Sequence, residues 1–282
     1  MTNRIGFMQG RLSPIINNKI QAFPWPFWEN EFEIANSIGL EIMEWTLDSD
    51  RLYENPLMTS LGQNKIKDLS EEYKVQIPSL TGDCFMQTPF WKCSQIKQRT
   101  KLQEDFEAIL ISSKKVGIKF VVVPLVDNGK IENRYEEDLL VNFLDKLKPI
   151  LIDLDIRIIF ESDFNPTKLA TFISQFDEHY FGINYDLGNS ASYGFNPVDE
   201  FEAIGKRIFN VHIKDRCYGG PTLPLGEGDV DFELVFKLLI KNNNSSNLIL
   251  QTSRASEDQH ISALIEYKKF VEEALSKNES KH

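Results

Sequence analysis

The sequence of 282 residues contains little cysteine and no long apolar run. Its three cysteines, Cys84, Cys93 and Cys217, form no C-x-x-C pair and cannot all be bridged, so we expect reduced thiols and no zinc-finger site. No segment approaches the ~20 apolar residues that a transmembrane helix needs, and the start MTNRIGFMQG lacks the apolar stretch of a signal peptide. These absences predict a cytoplasmic protein that does not enter a membrane.

Basic residues are too few and too scattered for a nucleic-acid surface. The formal net charge is −11 at pH 7, and lysines and arginines are scattered among acids instead of forming a stripe. Hydrophobic residues make up 41% of the chain, which is enough for a large core. We therefore expect a small-molecule ligand and no nucleic acid. The sequence is also compatible with a homo-oligomer.

Strand-like and helix-like segments alternate along the whole chain. Helical periodicity is clear in 101–117 and 136–155, where apolar residues recur at three- and four-residue steps. Such alternation predicts parallel strands joined by helices, and eight repeats in a chain near ~250 residues predict a single (β/α)₈ TIM barrel of the α/β class. We assign the barrel to 1–275 and expect the polar segment 276–282 to be a disordered tail. The predicted strands are 4–10, 39–45, 75–81, 118–125, 156–162, 181–187, 208–214 and 247–253.

Chemically capable side chains follow these apolar runs. Active sites of this fold lie at the carboxyl ends of the strands, so residues there are the candidates for chemistry. The predicted strand ends carry Gln9, Arg11, Glu44, Asp48, Asp83, Asp127, Glu161, Asp163, Asp186, His212, Lys214 and Gln251.

Four of these residues predict a metal site, and they lie near the ends of the last four strands. Neighbouring strands are ~4.8 Å apart, so inward side chains at one level converge. Two carboxylates in a partly desolvated cavity repel each other, and a divalent cation removes that conflict. Taken singly, the histidine also fits a core residue and each carboxylate a structural ion pair. Together they predict one ion of Mn²⁺, Mg²⁺, Co²⁺ or Zn²⁺, bound by Glu161, Asp186, His212 and Gln251.

This order of residues resembles the xylose isomerase-like TIM-barrel family. The likeness rests on Glu161 in FESDFNP, Asp186 in NYDLGNS, His212 in VHIKDR and a polar residue on strand eight, and it extends to GEGDVDF at 226–232. It implies a metal-dependent isomerase or epimerase of a sugar or sugar phosphate, in which two glutamates exchange protons on opposite faces of the substrate. The family also contains inosose dehydratase. In the last motif we expect Asp231 to cap a helix.

The chain departs from the family pattern at two positions. Gln251 stands in place of the second glutamate and cannot accept a proton near neutral pH. Asn189 stands where a sugar-binding histidine often follows the aspartate. Proton abstraction then falls to Glu161, with Lys214 or Glu44 as candidates for returning the proton.

Two alternatives to an isomerase or epimerase stay open: a dehydratase of the same family, and a catalytically weak barrel that binds a sugar or a partner protein. The apurinic endonucleases resemble this family in sharing the barrel, but their site holds three zinc ions and is rich in histidine. This chain has only four histidines, which argues against them: His179, His212, His260 and His282.

Substrate contacts are expected from charged and aromatic residues near the mouth of the barrel. Arg216 resembles the family's arginine that contacts substrate hydroxyls, and Lys214 can reach a carboxylate or phosphate. Arg11 fits an anion clamp or a surface ion pair equally well. Three aromatic residues in the loops after strands one and three fit either sugar stacking or a lid or subunit contact, namely Trp25, Phe85 and Trp91.

Overall fold

Eight parallel strands close into one barrel in the computed structural model, which describes residues 3–256 and 259–279. Neighbours along the chain are neighbours in the sheet, and the first strand pairs with the eighth. The predicted barrel and all eight predicted strands are confirmed, with somewhat different ends. The strands are Ile5–Met8, Ile42–Thr46, Gln76–Thr81, Phe120–Leu125, Arg157–Ser162, Phe181–Asp186, Ile208–Ile213 and Asn247–Leu250.

Helices connect the strands around the outside. The two helices with the clearest periodicity begin earlier than their predicted segments, because their first turns are mostly polar and their large apolar residues, Ile96 and Tyr135, are exposed. None of the helices within 3–256 and 259–279 combines the length and apolarity needed to cross a membrane. The longer helices are Asn30–Ser37, Ser60–Tyr73, Ile96–Val116, Arg134–Leu154, Pro166–Ile173, Pro197–Ile204, Phe232–Lys241 and His260–Glu279.

Two details concern the end of the chain. Asp231 is the N-cap of Phe232–Lys241, where its Oδ1 accepts a hydrogen bond from the Leu234 amide at 2.9 Å, as predicted. The last helix continues to Glu279, so 276–279 is helical where the sequence predicts a disordered tail. Helical hydrogen bonds need no apolar pattern, and the tail prediction relied on polarity alone. Residues 280–282 lie outside the described residues.

Two short strands extend the mouth of the barrel after strand seven. Asp215–Arg216 pairs with Thr222–Leu223 in an antiparallel arrangement. The Asp215 carboxylate accepts hydrogen bonds from the backbone amides of Gly226, Gly228 and Val230. This loop is thereby tied down, and it holds Arg216 beside the strand ends.

The core has two chemically different parts. Met43 and Trp45 point outward into the large apolar cluster between strands and helices. Glu44 and Thr46 point into the barrel, as strand alternation requires. The inside of the barrel is therefore largely polar at the level of Glu44, and that polar layer supports the site above it.

The Gly62→Ala change tests the packing of the helix Ser60–Tyr73 on the turn before it. An added Cβ would lie 2.2 Å from the carbonyl oxygen and 2.4 Å from the Cα of Pro56, both backbone atoms that no rotamer change can move. We expect a loss of about 1–3 kcal/mol in the free energy of unfolding, measured with urea, although alanine itself favours helices.

The neighbouring Leu61→Ala change is the control, because Leu61 is 85% exposed. It should alter stability by no more than about 0.5 kcal/mol. Equal stability of the two variants would contradict the close packing at Gly62.

Candidate metal and substrate site

Three of the four predicted metal ligands meet at the mouth of the barrel. The Nδ1 atom of His212 lies 3.2 Å from Oε2 of Glu161 and 3.8 Å from Oδ2 of Asp186. One donor atom from each residue lies within 4.8 Å of the others, and all three residues are buried. Donors that share an ion at ~2.0–2.2 Å lie roughly 3–3.5 Å apart, so this set fits a single divalent ion.

Glu44 occupies a different place from the one predicted. Its Oε1 lies 2.7 Å from Nε2 of His212, and neither side chain has any exposed surface. The carboxylate also accepts hydrogen bonds from Ser79 Oγ at 2.6 Å, from Asn210 Nδ2 at 2.8 Å and from Thr81 Oγ1. Because donors enclose it and it does not line the cavity, Glu44 is not placed to exchange a proton with a ligand there, in contrast to the expectation from the sequence. It orients the imidazole instead, so that Nδ1 faces Glu161 and Asp186.

The Glu44 and His212 pair is charged when no metal is bound. Burial lowers the pKa of His212, but attraction to Glu44 and hydrogen bonds to Asp186, Glu161 and Glu44 outweigh it and hold the pKa well above its usual value. Burial likewise raises the pKa of Glu44, yet the charge and hydrogen bond of His212 leave it below the ordinary range. A metal ion at Nδ1 would therefore take the place of a proton.

Asn189 links the predicted base to two cations. Its Nδ2 donates to Oε1 of Glu161 at 2.7 Å, and its Oδ1 accepts from Arg216 Nη1 at 2.8 Å and from Lys214 Nζ at 3.2 Å. The cations require the amide oxygen on their side, so the NH₂ group must face the carboxylate. The structure thus brings together Asn189, Lys214 and Arg216, three of the residues that the sequence analysis assigns to the mouth of the barrel.

The amide of Gln251, the fourth predicted ligand, is engaged with other side chains. Its Oε1 accepts a hydrogen bond from Lys214 Nζ at 3.3 Å, and its Nε2 donates to Oε1 of Gln21 at 3.0 Å. The same ammonium group donates to Oδ2 of Asp186 at 3.0 Å. Although burial raises the pKa of Asp186, the charge of Lys214 and the contact with His212 hold it well below its usual value.

A cavity of about 310 Å³ lies above these residues. This volume is at the small end of the ~300–1,000 Å³ range for ligand pockets. Cations and acids both line it, so a polar ligand of monosaccharide size fits its chemistry. The charged lining residues are Arg11, Asp83, Asp127, Glu161, Lys214 and Arg216.

Two of these charged residues have perturbed pKa values. Burial, and then the charge of Arg254, lower the pKa of Arg11 to about 9, and its Nε donates to the Thr252 carbonyl at 2.9 Å. Burial raises the pKa of Asp83 to about 7, and the charges of Asp48 and Glu161 add to the effect.

The three aromatic residues predicted to contact substrate do not line the cavity. The ring of Trp25 packs edge-on against Phe23, with the guanidinium of Arg51 3.8 Å from its centroid. Phe85 and Trp91 are buried in the outer apolar core, where the indole of Trp91 donates to a backbone carbonyl. Burial of apolar area against the helices places these rings away from the mouth.

Sequence reasoning missed several residues of the site. Asn184 donates to Oε2 of Glu161 at 3.1 Å and lies 3.0 Å from Nδ1 of His212, and Asn210 bridges Asn184 and Glu44. Strand alternation is the signal that could have identified both asparagines. Each stands two residues before a predicted ligand, so its side chain points to the same face of the strand. Gln21 carries no such signal, because it lies in the irregular loop after strand one.

Comparisons with known proteins agree with this fold. Residues 32–269 match the family model described as xylose isomerase-like TIM barrel. An inosose dehydratase of Clostridium botulinum (strain Eklund 17B) is 28% identical over 51% of this chain, and the match spans 55% of that relative's length. A putative L-ribulose-5-phosphate 3-epimerase, SgbU of Haemophilus influenzae, is 20% identical over 89% of this chain and 92% of the relative. The IolI protein, solved with a bound zinc atom, superposes with a TM-score of 0.75 at 17% identity, covering 98% of this chain and 99% of that one.

The Glu44→Leu change tests the buried pair. It leaves the imidazolium of His212 without its main partner and the hydroxyls of Ser79 and Thr81 without an acceptor. We expect the metal-free protein to lose about 3–5 kcal/mol in the free energy of unfolding, measured with urea at neutral pH.

Glu41→Leu on the exposed approach to the same strand is the matched control. Among the residues that the structure describes, its carboxylate pairs only with Arg4, at 3.9 Å, so stability should change by about 0.5 kcal/mol or less. A loss of similar size in both variants would show that Glu44 has no special role.

Proposed function

The chain belongs to the xylose isomerase-like TIM-barrel family, and on that premise we propose that it is a divalent-metal-dependent isomerase or epimerase. The proposed reaction moves a proton on the carbon beside the carbonyl of a sugar or sugar phosphate. One observation carries the proposal: Glu161, Asp186 and Nδ1 of His212 converge, while Glu44 holds the other ring nitrogen.

The donor set fits a resident metal ion. Two carboxylates and one imidazole suit Mn²⁺, Co²⁺, Zn²⁺ or Mg²⁺, and the zinc atom bound by the IolI protein, which shares this fold, supports a metal-binding role. Glu161, Asp186 and His212 would hold the ion, with Gln251 as a weaker fourth ligand if it releases Lys214. When bound, such an ion polarises the substrate carbonyl and stabilises the negative charge that develops on its oxygen.

The chain's own residues supply the remaining chemistry. Glu161 takes the proton from carbon, and the amides of Asn184 and Asn189 fix the direction of its two oxygens. Lys214 and Arg216 place two positive charges on the wall formed by strand seven and its loop. They would orient substrate hydroxyls or a phosphate, because guanidinium and ammonium groups bind such oxygens well.

A dehydratase begins with the same proton abstraction and differs in what leaves afterwards. The similarity to an inosose dehydratase supports this alternative, although the alignment covers only about half of that protein. A binding protein without catalysis is the second alternative. A panel of substrates separates the three outcomes.

Metal and proton exchange are tested together. We expect purified protein to bind one equivalent of Mn²⁺ by calorimetry, and His212→Ala to weaken that binding by roughly one to two powers of ten or more. In D₂O with Mn²⁺, the protein should exchange a carbon-bound proton of a substrate in a panel of L-ribulose 5-phosphate, D-psicose, D-tagatose and an inosose, followed by NMR. Glu161→Gln should abolish the exchange.

Glu178→Gln, an exposed carboxylate outside the cavity, is the control and should leave exchange unchanged. Loss of a β-hydroxyl from the inosose would assign a dehydratase. Metal-independent sugar binding without exchange would contradict the proposal and favour a binding protein.

A further inference from the structure

Asp83 is a buried acid in the cavity wall that the proposed function leaves unused. It follows strand three and begins the short helix Asp83–Gln87, and its side chain lines the same cavity as Glu161. Only 6% of the residue is exposed. Strand four separates the two carboxyl groups around the barrel, so they approach a ligand from different walls.

A directional chain of hydrogen bonds ends on this acid. Lys214 Nζ donates to Gln251 Oε1, Gln251 Nε2 donates to Gln21 Oε1 at 3.0 Å, and Gln21 Nε2 donates to Asp83 Oδ2 at 2.7 Å. An ammonium group can only donate, so it determines which end of each amide faces which neighbour. Both amides therefore point their donors toward Asp83.

The other oxygen of Asp83, Oδ1, receives no hydrogen bond from any residue in 3–256 or 259–279. One oxygen is thus held in place while the second is available to a ligand in the cavity. This is the arrangement that a proton donor or acceptor requires: a fixed carboxyl group with one free oxygen.

These hydrogen bonds give Gln251 a role. A glutamate in its place could accept from Lys214 but could not donate to Gln21. The Gln21 amide would then turn its NH₂ group toward the new carboxylate and its oxygen toward Asp83, and Asp83 would lose its donor. The family's second glutamate and this hydrogen-bond chain therefore exclude each other.

We propose that Asp83 is the second acid–base group of the site, and that Gln251 and Gln21 position it. The inference rests on the proposed function. Glu161 takes the proton from carbon and the C–H electron pair enters the enediolate; Asp83 then delivers its own proton to the opposite face of that carbon. Glu161 is left protonated and Asp83 ionised, and exchange with water restores both.

The charges around Asp83 suit this task. Burial raises its pKa to about 7, repulsion from Asp48 and Glu161 adds to the rise, and the hydrogen bond from Gln21 and the charge of Arg11 oppose it. A carboxyl group in this range holds a proton in part of the molecules at neutral pH and can both give and receive one.

Infrared titration measures the protonation of Asp83 as a function of pH without any substrate. The full-length chain, with and without Mn²⁺, is labelled with ¹³C-aspartate, which separates Asp83 from Glu31, a buried acid whose pKa is also about 7. We expect one aspartic acid band that titrates near pH 7, disappears in Asp83→Asn and remains in Asp127→Asn. Gln251→Glu should shift its titration to higher pH. The inference is overturned if Asp83 is fully ionised at pH 6, or if Gln251→Glu leaves the titration of its band unchanged.

The reactive test uses whichever panel sugar the wild-type protein exchanges. Asp83→Asn should retain deuterium exchange through Glu161 but form the epimer at least ~100-fold more slowly, since general acid–base groups contribute about 10²–10⁴. Epimer formation at the wild-type rate, or equal loss of exchange and epimer, overturns the inference. No exchange by the wild-type protein would instead contradict the proposed function, and the titration then decides the state of Asp83 on its own.

Discussion

The contact between Glu44 and His212 crosses the inside of the barrel, and the geometry of the site depends on it. It joins strand two to strand seven at 2.7 Å between two side chains with no exposed surface. Burying two charges is costly, and here the cost is offset by mutual attraction and by the donors of Ser79, Thr81 and Asn210. With its Nε2 occupied, the imidazole has one orientation and offers one atom to the residues above it.

The sequence predicts the barrel and the convergence of Glu161, Asp186 and His212 because these features follow from local patterns. Alternation of strand and helix sets the fold, and the last residues of neighbouring strands must meet. Depth along the barrel axis is not encoded locally. Glu44 has the right parity to point inward, but only the closed barrel shows that it stops below the cavity, against a residue 168 positions away. Gln21 was beyond prediction for a related reason, since loops carry no period.

The cavity is electrically uneven, and this follows from which strand supplies each wall. Lys214 and Arg216 come from strand seven and its loop, whereas Asp83 and Asp127 follow strands three and four on the far side. The field between these walls favours one orientation of a polar ligand over its reverse. Asn189 couples the cationic wall to Glu161, so a ligand that draws Lys214 or Arg216 toward itself also changes the hydrogen bonding of the Glu161 carboxylate.

The polar layer inside the barrel also constrains how this chain can diverge. Glu44, Ser79, Asn184, Asn210 and His212 share one hydrogen-bond network, so each substitution changes the value of the next. Removing one member leaves its partners without a hydrogen bond, whereas replacing several together can restore a packed interior. Accepted mutations should therefore arrive here in correlated groups. The loop residues at the mouth that lie outside this network can change one at a time and so alter ligand preference while the floor of the site stays the same.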